Sequence, residues 1–106
     1  MEYDVFYMKP EFFRDGILGS QWLEKQGKLP KPSALGETHA FVKQTGAKGL
    51  EDLFHNMQAE VWSPNGEARP LIEKAGLQHT SMSIGDIAVD ANGNAFMVDA
   101  TGWRKL

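Results

Sequence analysis

The residues with the greatest chemical potential lie together in His79-Thr80-Ser81-Met82-Ser83-Ile84-Gly85-Asp86. Hydroxyls, an imidazole and a carboxylate are the parts of nucleophilic catalysis, with Ser81 or Ser83 attacking, His79 as base and Asp86 orienting it. In an extended segment His79, Ser81 and Ser83 share one face, because side chains alternate with a period of two. A serine nucleophile also needs a sharp elbow and an oxyanion hole, and no GxSxG turn stands here. Two other readings compete. The segment is a polar surface that holds a ligand or peptide, or its hydroxyls and Asp86 satisfy backbone groups where the chain enters a strand.

A second constellation is Trp62-Ser63-Pro64-Asn65-Gly66-Glu67-Ala68-Arg69. Tryptophan, a Ser-Pro-Asn-Gly turn and arginine suit a recognition loop, since aromatic residues and Arg dominate binding hot spots. They equally suit a corner between two helices with Trp62 as its apolar plug. The candidate binding residues are therefore Trp62, Asn65, Arg69, His79, Ser81, Ser83 and Asp86.

Other chemistries fall away on spacing. The three histidines, His39, His55 and His79, form no HxH or HExxH pattern and have no carboxylate cluster beside them, so no metal site is expected. Asp90-Ala91-Asn92-Gly93-Asn94 echoes the start of a calcium loop, but Ala95 stands where the turn needs Gly and Thr101 where a bidentate Glu is required. The eleven glycines never assemble GxxxxGK[ST] or GxGxxG, which removes those routes to nucleotides. With no cysteine there is no disulfide scaffold, cysteinate zinc or thiol catalysis. No cofactor is implied.

Charge gives no strong partner signal. Residues 1–53 hold seven Lys/Arg and eight Asp/Glu, and residues 54–106 hold four and six, so the net −3 has no basic half. That argues against a duplex-DNA binder, whose affinity comes mainly from phosphate neutralisation. The one basic cluster, Lys25, Lys28 and Lys31, reads as a solvated loop, with a phosphate or partner contact as the alternative. No apolar run approaches the roughly 20 residues of a membrane span, and MEYDVFYM lacks the basic start of a signal peptide. A cytoplasmic location is the expectation.

The elements that must position these residues can be read from pattern. At 106 residues the chain has room for one domain. Tyr3–Met8 is aromatic and β-branched on both faces, which predicts a mid-sheet strand ended by Pro10. A short helical turn follows, then a helix near Ser20–Gln26 with Leu18, Trp22 and Leu23 as core anchors and Gly27 as its cap. Residues 27–36 read as a loop, and Thr38–Lys43 as a second strand. Leu50, Leu53, Phe54, Met57 and Val61 make an amphipathic stripe that predicts a helix over 49–60. Pro70–Ala75 follows as a short helix, capped at Gly76 with Leu77 packing back on Ile72. Asp86–Val89 and Ala95–Val98 flank Asn92-Gly93 as a hairpin, with Ile87 and Val89 facing the core alongside Phe96 and Val98. Trp103 and Leu106 close the end. The fold class is α+β, a mostly antiparallel four-stranded sheet in the order β-α-β-α-α-β-β with helices on one face.

In HTSMSIGDIAVDANGNAFMVDATGW the residues His79, Ser81, Met82, Ser83, Ile84, Gly85, Asp86, Ile87, Gly102 and Trp103 make a pattern that resembles the YodL-like and KfrB-like domains of bacterial plasmids, phages and integrative elements. The helix containing Phe54 and Asn56 extends the match, so that it covers roughly residues 50–106. The resemblance implies a mobile-element accessory protein and carries no reaction with it. The leading expectation is a non-enzymatic module that binds an unidentified protein partner through the hairpin mouth and the Trp62–Arg69 loop. Competing expectations are a single-stranded nucleic-acid binder that stacks bases on its aromatic residues, and a small hydrolase built on His79, Ser81 and Asp86. Oligomeric state is not readable.

Overall fold

The computed structural model describes all 106 residues. Its element order is β1 (Glu2–Met8), α1 (Pro10–Gly16), α2 (Ser20–Lys25), a 3₁₀ segment (Pro32–Glu37), β2 (His39–Gly46), α3 (Leu50–Asn56), α4 (Ala59–Trp62), α5 (Arg69–Lys74), β3 (Ile87–Asp90), β4 (Ala95–Val98) and β5 (Trp103–Lys105). The strands form one antiparallel sheet in the order β2-β1-β3-β4-β5. The α+β class holds and β1 lies inside the sheet as expected. The strand count is five rather than four. Trp103–Lys105 is too short to show alternation, and it becomes a strand only by pairing with Phe96–Val98.

Both faces of the sheet are covered, which corrects the expectation of helices on one face. Tyr3, Val5, Tyr7, Ala88 and Val98 point toward α3 and α5, where Leu53, Met57, Ile72 and Leu77 complete the larger core. Ile87, Ala95 and Met97 point the other way, onto Leu23 of α2 and Leu35 of the 3₁₀ segment. Two apolar faces require two covers, and the double-sided apolar pattern of β1 carried that information.

The hairpin register also differs from expectation. Ile87 lies opposite Met97 and Val89 opposite Ala95, so those four share a face, while Ala88 and Phe96 share the other. Asn92-Gly93 does not act as a two-residue turn. Gly93 N–H donates to Asp90 O (3.0 Å), Asp90 N–H donates to Asn94 O (2.9 Å), and Gly93 takes φ +82°. This is a three-residue loop with its glycine in the left-handed position, which shifts the pairing by one residue and exchanges faces.

The stripe over 49–60 is divided. α3 ends at Asn56, Gln58 is extended (ψ 142°), and α4 starts afresh at Ala59. Tertiary bonds replace the helical ones lost there. Gln58 Nε2 donates to Phe54 O (2.9 Å) and Met82 O (3.1 Å), while Met82 N–H donates to Met57 O (3.1 Å). Val61 is consequently exposed rather than in the core. Leu23 of α2 is buried, but Trp22 (41% exposed) and Leu18 (56%), which precedes the helix, are not core anchors. A six-residue helix buries one narrow face, and Gly19 turns the chain before it. The α5 cap matches expectation: Leu77 N–H donates to Ile72 O (2.9 Å) beyond Gly76.

Candidate functional site

The end of β1 and the start of β3 bring the 79–86 segment against Met8, and Asp86 is the hub of what forms there. Its side chain has no exposed surface. Oδ1 accepts the Met8 N–H (2.8 Å), and Oδ2 accepts the Ser83 N–H (2.8 Å), the Ser83 hydroxyl (3.4 Å) and His79 Nε2–H (2.8 Å). A buried carboxylate is tolerated only when its oxygens are filled in this way. The His79 ring stacks on Tyr7 with centroids 4.6 Å apart and leans on Phe13 at 5.0 Å.

A second histidine, fully buried, closes the same region. His39 Nε2–H donates to Gly85 O (2.7 Å), and since a carbonyl only accepts, Nδ1 is the acceptor for the Thr38 hydroxyl (2.7 Å). Burial pushes the His39 imidazole below its usual range, against the opposing pull of Gly85 O and the Asp86 charge, so the ring stays neutral. Tyr7 is driven the other way: burial first, then the Asp86 charge, hold its phenol protonated. Its hydroxyl donates to Thr80 O (2.7 Å).

The serines face away from catalysis. Ser81 Oγ accepts the Ala59 N–H (2.8 Å), serving the first turn of α4, and Ser83 bonds Asp86 rather than His79. A nucleophile bonded to its base is the defining contact of a triad, and here His79 Nε2 bonds only the carboxylate. His79, Ser83 and Asp86 therefore meet as an internal frame, with Ser81 pointing out of it. The Asp90 echo of a calcium loop resolves as a turn, its carboxylate accepting from Asn92 N (3.0 Å), Asn94 N (2.9 Å) and Asn94 Nδ2 (3.2 Å).

The second constellation is joined to the first through backbone. Trp62 Nε1–H donates to Thr80 O (3.0 Å), the ring packs on the larger core, and Lys43 Nζ lies 5.2 Å from its centroid. Trp62 is thus the plug of the α4–α5 corner. The outer loop stays exposed yet is braced from within. Glu67 accepts from Asn65 N (2.9 Å) and Asn65 Nδ2 (3.1 Å), and Ser63 Oγ accepts the Ala68 N–H (2.9 Å). Arg69 reaches Glu73 at 3.3 Å with both side chains largely in solvent, a pairing that costs little to exchange.

Between this loop and the 77–80 segment lies a groove of about 460 Å³, with Ile72 and Leu77 among its apolar lining and Ser63, Arg69, Glu73, Gln78 and Thr80 as its polar groups. Sequence reasoning missed Tyr7, Glu73 and Gln78. Tyr7 reads as one more strand aromatic, because its partner Thr80 is 73 residues away. Glu73 and Gln78 could be suspected only once the Gly76 cap had folded Leu77 back over α5. Comparison with known proteins returns no matching family model, no matching curated relative and no matching solved structure.

Proposed function

We propose that this chain is a non-catalytic binding module, a cytosolic accessory protein of a bacterial mobile element or phage that engages a protein partner through the α4–α5 corner. The single observation that carries the reading is the division of labour among the candidate residues. The hydroxyl of Ser81, the imidazole of His79 and the carboxylate of Asp86 are committed to internal bonds, while Asn65 and Arg69 are solvent-facing on a loop already held in shape. A loop ordered before binding loses less entropy on association. The groove beside it offers an apolar floor inside a polar rim, the usual anatomy of a protein contact. The mobile-element setting is supported by the resemblance of the His79–Trp103 pattern.

The test is capture from an extract of the native host on immobilised protein, with and without nuclease, against the double variant Asn65→Ala/Arg69→Ala. The reading expects a near-stoichiometric protein that survives nuclease and is lost with the variant. Enrichment that disappears with nuclease would replace this reading with single-stranded nucleic-acid binding.

A further inference from the structure

A second cleft, of about 340 Å³, opens between α3 and the β4–β5 end of the sheet and shares no residue with the α4–α5 groove. Phe54 of α3, Ile84 before β3, and the paired residues Val98 and Trp103 form its apolar walls. Two carboxylates, Glu51 and Asp99, complete its chemistry, and no basic side chain lines it. Asp99 is already spent: Oδ1 accepts Ser20 N–H (3.0 Å) and Ala100 N–H (2.8 Å), and Oδ2 accepts the Ser20 hydroxyl. Glu51 is exposed and takes part in no ion pair.

The other large grooves carry both signs of charge. The one beside α1 sets Lys28 and Lys31 against Glu11, Asp15 and Glu37, and the corner groove sets Arg69 against Glu73. A third, of about 410 Å³, adjoins this cleft through Asp99, Ala100 and Trp103 and carries Arg104, which is paired with Glu24. In the cleft itself a carboxylate outside any ion pair shares its lining with the aromatic rings of Phe54 and Trp103. Aromatic faces attract cations within about 6 Å of the ring. Arginine is the side chain that both stacks on such faces and forks onto a carboxylate, and it is less strongly hydrated than lysine. The net charge of −3 favours the approach of a basic segment. We infer that this cleft receives an arginine side chain from an exposed segment of a partner protein. The inference is independent of the α4–α5 corner.

The test is a ¹⁵N NMR titration of the whole protein with the peptide acetyl-Gly-Arg-Gly-amide. Its control is the same peptide with citrulline, which keeps the shape and removes the charge. The expected result is a saturable shift of the Glu51, Phe54 and Ile84 amides and of the Trp103 indole, with no response to citrulline. Glu51→Gln, an exposed change that leaves the fold intact, weakens the arginine peptide about tenfold. No saturable shift at millimolar peptide, an equal response to citrulline, or unchanged affinity in Glu51→Gln would each overturn the assignment. Shifts gathered instead around Glu67 and Glu73 would also overturn it.

Discussion

Two histidines border the Gly85-Asp86 turn, one on the backbone of Gly85 and one on the side chain of Asp86. His79 keeps an edge in solvent and donates to the carboxylate, whereas His39 is sealed between β2 and Gly85 and stays neutral. Burial opposes protonation of His39 most strongly, Gly85 O and the Asp86 charge favour it, and Lys9 and His79 add to the opposition. Its folded pKa lies below the unfolded value of 6.5, so its share of stability is fully present above that pH. As pH falls below it, the unfolded chain takes up a proton that the folded chain refuses, and stability declines. Urea denaturation between about pH 7.5 and about pH 5 should therefore show a smaller loss for His39→Gln than for the native chain. An equal slope in both would mean that His39 titrates normally. None of this was readable in the sequence, where His39 was one histidine among three and its partner Gly85 lies 46 residues away.

At the scale of elements, what could be read depended on the range of the interactions. The capped α5, the hairpin and the interior, non-edge position of β1 follow from local spacing, and all are present. The break at Gln58, the face exchange in the hairpin and the fifth strand depend on distant partners or on one residue of turn geometry, and pattern alone missed each. Gly85 shows how tightly the site loop is seated. It adopts φ +98°, and a methyl group there would stand 3.2 Å from Met8 Sδ and 3.6 Å from the Gly16 backbone. Gly85→Ala should lower stability by about 2 kcal/mol in thermal unfolding. Gly36→Ala, where a methyl group meets nothing within 4 Å, should stay within about 0.5 kcal/mol. Equal effects would show that the loop before β3 is free to adjust.

Over the whole molecule, a five-stranded sheet covered on both faces leaves its grooves at the corners where helices meet strand ends. The sequence located both constellations but not their roles. Ser81, Ser83 and Asp86 looked like a site because hydroxyls and a carboxylate serve a catalytic elbow and a strand entrance equally well; only their partners distinguish the two. The most direct test of that distinction is equilibrium urea unfolding of Asp86→Asn beside Arg69→Ala. Asp86→Asn removes the charge that holds Met8, Ser83 and His79, and should cost about 3 kcal/mol. Arg69→Ala, on the exposed loop, should change stability by no more than about 0.5 kcal/mol. An Asp86→Asn protein as stable as the native chain would contradict the account, because Asp86 would then be held for chemistry rather than for the fold.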